Sequence, residues 1–268
     1  VFPARYTRPP EGQAQMGFFT DTSVCIGCKA CEVACKQWNQ LPSDGFHFTG
    51  NSYDNTKELS ATTWRHVTFK ELDDENGKAR WLMMSDVCKH CTEAPCQMAC
   101  PTGALIYNDF GDVYVQTDVC NGCGYCVAAC PFGVIARSDE DGHAHKCTLC
   151  YDRQADGMVP ACAKACPTAS IQFGPVEELK VRAQLRVEEL QAAGDTRAHL
   201  YGAEAIGEYA SLNSFFLLQD HPSHYNLPEA PPQPFEGMKK RYAASIGTGL
   251  ALVVAAAGLF SRGRKKNA

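Results

Sequence analysis

The chain has 268 residues, enough for one large domain or two small ones around a real core, and a formal net charge of −5 that argues against nucleic acid as a partner. Its sixteen cysteines far exceed what an ordinary cytosolic enzyme carries, and all lie between Cys25 and Cys166. Such a count leaves three classes open: a disulfide scaffold, zinc sites or iron–sulfur clusters.

In chain order, residues 1–16 (opening VFPARYTRPPEGQAQM) read as an arm. They show neither the charged start nor the apolar run of a signal peptide. The first quartet follows, Cys25, Cys28, Cys31 and Cys35, spaced x2, x2, x3. TTWRHVTF (residues 62–69) alternates as a strand, and an Asn76-Gly77 turn leads to a second one. His66 in the first strand reads as a structural residue. The second quartet is Cys88, Cys91, Cys96 and Cys100, with a middle gap of four. Residues 106–115 form a further hairpin before the third quartet, Cys120, Cys123, Cys126 and Cys130, which repeats x2, x2, x3. The fourth, Cys147, Cys150, Cys162 and Cys166, stretches its middle gap to eleven. Each quartet ends in Cys-x3-Cys, and Cys100, Cys130 and Cys166 are followed by Pro101, Pro131 and Pro167 and by similar stretches, PTGALI, PFGVIA and PTASIQ. The pattern is an internal repeat of cluster loop, short helix and strand.

Beyond the cysteines, Gly174-Pro175 opens a helix that Gly194 closes. Val176, Leu179, Ala183, Val187 and Leu190 form its apolar stripe, a packing face. The core thus runs over 17–174, with a helical and extended region over 175–226. A proline-rich linker covers 227–237. The segment 238–261 is then expected to be a single transmembrane helix, because residues 242–261 carry no charge and would make about 30 Å of helix. A basic tail, 262–268, closes the sequence.

The spacing has a chemical reason. A [4Fe-4S] cube offers four irons, each needing one terminal thiolate, and a Cys-x2-Cys-x2-Cys loop wraps three corners. Gly27, Gly122 and Gly124 let the backbone approach closely. The x3 cysteine has entered the next helix and points to a neighbouring cube, so Cys35 belongs to a different cluster from Cys25, Cys28 and Cys31. Zinc ribbons share Cys-x2-Cys pairs but need no x2-x2-x3 run ending in Cys-Pro. Thiols two or three residues apart are poor staples across a fold. No Cys-x-x-Cys-His occurs, which excludes covalent haem. Four [4Fe-4S] clusters are the reading. Lys29, Lys36, Lys89, Lys146, Lys164 and His90 flank the cysteines, as cluster-tuning charges or as solvated ones. There is no G-x-G-x-x-G, Walker loop or nucleophile motif, so no catalytic residue is assigned.

The stretches DTSVCIGCKACEVACKQWN, YDNTKELSATTW, KCTLCYDR and ACAKACPTASIQFG resemble the four-cluster subunits of molybdopterin oxidoreductases. The nearest likeness is to the iron–sulfur (beta) subunit of membrane-bound respiratory formate dehydrogenase, over about residues 17 to 230. The departures are Cys35-Lys36 in place of Cys-Pro and a short tail. The resemblance implies an α+β fold of two ferredoxin-like modules, the inner one (about 81–140) inserted in the outer. It implies one cube on Cys25, Cys28, Cys31 and Cys166 and a second on Cys147, Cys150, Cys162 and Cys35. A third falls on Cys88, Cys91, Cys96 and Cys130, and a fourth on Cys120, Cys123, Cys126 and Cys100. The expected role is a wire from a molybdenum or tungsten formate-oxidising subunit to a membrane haem b/quinone subunit. The cluster domain is expected on the periplasmic or extracellular side, carried across folded by a partner with a twin-arginine signal. Rival readings are an electron-transfer subunit of an uptake hydrogenase or of a polysulfide- or tetrathionate-type reductase, and, in another class, an iron–sulfur sensor or scaffold.

Overall fold

A computed structural model of the chain describes residues 9, 12–45, 48, 50, 53–73, 77, 79–207, 209–233, 235 and 242–254. The chain divides into two compact units between residues 232 and 233.

The first unit is organised by a four-stranded sheet with strands from both ends of the sequence. β1 (Met16–Asp21) pairs in parallel with β10 (Ser214–Leu218), matching Phe19 to Phe215. β8 (Ile171–Pro175) flanks β1 and β9 (His199–Tyr201) flanks β10, both antiparallel. The apolar runs GFF and SFFLL are buried on both faces, as central strands require. The pleat then sorts alternate residues to opposite sides. Phe19, Phe215 and Leu217 pack on α6 (Val176–Ala192), through Val176, Leu179, Ala183 and Val187. Phe18, Phe216 and Leu218 face the cysteine-bearing interior. The stripe read from the sequence is thus the seam between helix and sheet, with Leu190 packed at its end.

Three hairpins complete this unit. β2 (Arg65–Asp73) pairs with β3 (Ala79–Val87), β4 (Leu105–Tyr107) with β5 (Val113–Val115), and β6 (Ala136–Arg137) with β7 (Ala144–His145). β2 starts later than the alternation predicts, because side chains capture the preceding backbone. The Ser60 hydroxyl accepts from the Thr62 and Thr63 amides at 3.2 and 3.0 Å, and both threonine hydroxyls donate to Asp44. Gly77 lies at the expected turn with φ +73°, while Asn76 falls outside the described residues. Short helices follow the cysteine loops: α1 (Ala30–Trp38), α2 (Pro95–Ala99), α3 (Tyr125–Ala129), α4 (Tyr151–Ala155) and α5 (Ala161–Ala165). α1 packs on α5 and α2 on α3.

In the second unit residues 242–254 are helical, about 20 Å at 1.5 Å per residue. Ile246, Leu250, Leu252, Val253 and Val254 are exposed. Among the described residues no helix is long and apolar enough to cross a membrane. Residues 236–241 and 255–268, which include the rest of the expected span and the basic tail, lie outside them.

The seam between α6 and the sheet generates a stability test. Leu179 is 1% exposed and Val181, on the outer face, 64% exposed. Leu179→Ala is expected to destabilise the folded unit by about 2–5 kcal/mol, and Val181→Ala by under about 0.5 kcal/mol, read as shifts in thermal unfolding.

Candidate cluster-binding site

The first cysteine loop is positioned from behind. Asp21 ends β1 and accepts from the Ser23 amide at 2.9 Å, capping the 3-10 turn Thr22–Val24. Arg186 of α6 holds that same carboxylate at 3.1 Å. The chain then winds through Gly27 at φ +65° and Lys29 at φ +60° into α1. Gly27 has no substitute: a Cβ there would lie 2.6 Å from the Phe69 ring and 2.7 Å from the Met83 sulfur. The β2–β3 hairpin thus closes directly over the loop. Cys25, Cys28, Cys31 and Cys166 line one cavity beneath it, with Val67, Ser85 and Ile171.

A second cavity is lined by Cys88, Cys91, Cys96 and Cys130 together with Lys89, Lys146, Phe132 and Tyr209. The other eight thiols fall into two neighbourhoods. After burial, the thiols that bear on Cys126 are Cys100, Cys120 and Cys123, and the thiols that bear most on Cys35 are Cys162 and Cys150. Cys147 stands near Cys35, Cys88 and Cys162, between the neighbourhood of Cys35 and the second cavity. In the third loop a Cβ on Gly122 would lie 2.4 Å from the Gly142 carbonyl oxygen, so the β6–β7 turn covers this loop as the β2–β3 hairpin covers the first.

The donor set fits iron–sulfur clusters. All sixteen thiols are free, and most lie in the packed interior. Burial pushes Cys31 and Cys150 up to about 11 and Cys35 and Cys91 up to about 12, so ionisation requires a cation such as iron alongside. Donors already aim at the sulfurs: Tyr209 Oη to Cys91 Sγ at 3.2 Å, and the Leu149 amide to Cys147 Sγ at 3.3 Å. Cys31 Sγ and Ser85 Oγ are 3.2 Å apart. Among the described residues no three His, Cys, Asp or Glu side chains close on a point as a single-ion site requires, whereas thiols do line the two voids.

The flanking cations divide. Lys89, Lys146 and His90 are buried, Lys29 and Lys36 partly so, and Lys164 is exposed. Lys146 donates to the Val113 and Cys147 carbonyls, and Lys89 to Asp86 and the Val87 carbonyl. His66 is a buried structural residue, its ring between Asp54 (3.1 Å) and Glu32 (3.4 Å). Burial alone would lower its pKa, but the two carboxylates outweigh that and raise it. Sequence reasoning passed over Arg65, which is 1% exposed among the thiols of the first and fourth loops. The signal was present: Arg65 shares a strand face with Val67 and Phe69 and therefore points inward.

The covered loop gives a local test. Gly27→Val is expected to remove the iron of one cluster while leaving the rest, and Gly247→Ala, whose Cβ would meet open space at an ordinary φ, to leave iron per chain unchanged. Metal analysis of the purified variants decides it.

Comparison with known families and proteins agrees with this donor set. Two family models, both described as a 4Fe-4S dicluster domain, match residues 24–104 and 79–176. A formate dehydrogenase iron–sulfur subunit of Haemophilus influenzae is 44% identical over 79% of this chain and 68% of its own length. The nitrate-inducible formate dehydrogenase iron–sulfur subunit of Escherichia coli is 42% identical over 82% of this chain and 74% of its own length. The B subunit of the anaerobic dimethyl sulfoxide reductase of Escherichia coli is 39% identical over 62% of this chain and 76% of its own length.

Proposed function

The chain belongs to the family of formate dehydrogenase iron–sulfur subunits, and from that premise we propose that it relays electrons through four [4Fe-4S] clusters between a molybdenum- or tungsten-containing formate-oxidising subunit and a membrane haem b/quinone subunit. It is an electron-transfer subunit without a catalytic site of its own. The clusters supply one-electron redox chemistry, and the protein supplies spacing, insulation and local charge.

The observation that carries the reading is the gathering of cysteines from different quartets. Three thiols of one loop and the last thiol of another line each cavity: Cys25, Cys28 and Cys31 with Cys166, and Cys88, Cys91 and Cys96 with Cys130. The proposed clusters follow that rule, with Cys147, Cys150 and Cys162 joined by Cys35 and with Cys120, Cys123 and Cys126 joined by Cys100. The packing of α1 on α5 and of α2 on α3 supports the same exchange. Cys28 and Cys123 are exposed, so a loop near each end of such a relay reaches the surface. Ile26 beside the first and Tyr125 beside the other are exposed apolar side chains suited to partner contacts.

The likeness to the dimethyl sulfoxide reductase subunit covers less of the sequence than the formate dehydrogenase likeness. Native purification followed by formate-dependent dye reduction tests the partner choice. Formate is expected to reduce the dye and a pterin subunit to co-purify, whereas reduction by hydrogen alone would assign the chain to a hydrogenase.

For the second unit we propose a membrane anchor, with the cluster domain on the periplasmic or extracellular side. The exposed apolar side chains of residues 242–254 and the uncharged sequence to residue 261 support it. Deleting residues 238–268 is expected to release the protein from membranes with its iron intact, because no cysteine lies beyond Cys166. Protease added to spheroplasts is expected to digest the cluster domain; protection there, with digestion only in inverted vesicles, places it in the cytoplasm.

A further inference from the structure

Arg65 carries a fixed charge into the interior without a carboxylate to meet it. Its guanidinium lies over the Phe18 ring, with the central carbon 4.7 Å from the ring centroid. Nη1 donates to Ser85 Oγ at 3.0 Å and more weakly to the Ser85 carbonyl at 3.4 Å. Among the described residues Nε and Nη2 have no acceptor. Among the described residues no ion pair includes Arg65. A buried, uncompensated guanidinium is costly enough that a fold retains it only against negative charge. The groups closest to it electrostatically are Cys162, Cys31, Cys147 and Cys35. Burial would weaken its hold on the proton, but those sulfurs outweigh burial and keep it charged. Ser85, which anchors Nη1, also touches Cys31 Sγ at 3.2 Å.

We propose that Arg65 sets the potential of the clusters held by the first and fourth quartets, its free Nε–H and Nη2–H donating to their sulfurs while Ser85 and Phe18 fix its orientation. This rests on the cluster pairing proposed above. The physical effect has one sign. A cluster gains negative charge on reduction, so a fixed cation and two N–H donors at its sulfurs stabilise the reduced form and raise the potential. Cys162, Cys147 and Cys35 share one proposed cube and Cys31 belongs to its neighbour, so the first of these feels Arg65 more strongly. Arg65 is a positioning residue for electron flow: it biases where the electron rests and leaves the thiolate ligands unchanged.

The test uses the complete complex with Arg65→Gln, Arg65→Lys and Ser85→Ala. The readouts are iron and sulfide content and an EPR-monitored redox titration, with the signals of the two cubes identified as those altered by Cys162→Ser and by Cys31→Ser. Arg65→Gln is expected to weaken reduction of the more affected cluster at least tenfold, a fall of about 59 mV for a one-electron couple. Arg65→Lys and Ser85→Ala should shift the same signals downward by less, and the second- and third-quartet signals should stay in place. Unmoved midpoints in the variants that retain iron would overturn the proposal. So would a shift confined to the second and third quartets, or loss of iron in all three variants, which would make Arg65 an assembly residue. Locating the irons of the unmodified complex by anomalous scattering separately reports which cysteines share a cube, so a failed pairing and a failed role for Arg65 are told apart.

Discussion

An iron–sulfur cube takes four thiolate corners, and a Cys-x2-Cys-x2-Cys loop reaches three of them. The remaining corner must come from elsewhere in the chain, and this fold brings it there. Cys35 lies within α1, and Cys100, Cys130 and Cys166 cap the ends of α2, α3 and α5. Each sits one helical turn beyond its own loop, and Cys130 and Cys166 line cavities formed by other loops. The sheet serves the same end. By pairing β1 with β10 and β8, it brings the first loop, the end of the fourth and the C-terminal region together around one interior.

Burial and charge work against each other in that interior. Thiols pushed up to about 11 or 12 stay protonated until a metal makes the thiolate the better state. Metal binding at the buried thiols is therefore coupled to release of their protons. The buried cations follow from the same balance. Arg65, Lys89 and Lys146 are nearly inaccessible to solvent, an expensive arrangement in an apolar core and a reasonable one among anionic sulfurs.

The parts governed by local rules were legible in the sequence. The quartets, the helix between Pro175 and Gly194 with its apolar stripe, and the residue 106–115 hairpin depend on spacing and turn chemistry within short windows. What escaped depends on distance. The parallel partner of β1 lies nearly two hundred residues away, and no local pattern announces it. The start of β2 moved because Ser60 and Asp44 capture Thr62 and Thr63, an exchange between segments. The flanking lysines could not be sorted by type: Lys164 is exposed and Lys146 buried because one ends a surface helix and the other enters the interior between Val113 and Cys147.

The central claim is that every cube is stitched from two segments of chain, three thiols from one and one from another. Locating the irons by anomalous scattering in the assembled complex tests it most directly. The account predicts four cubes, with Cys35 bonded to the one held by Cys147, Cys150 and Cys162, and Cys166 bonded to the one held by Cys25, Cys28 and Cys31. A map placing Cys25, Cys28, Cys31 and Cys35 on a single cube would contradict it.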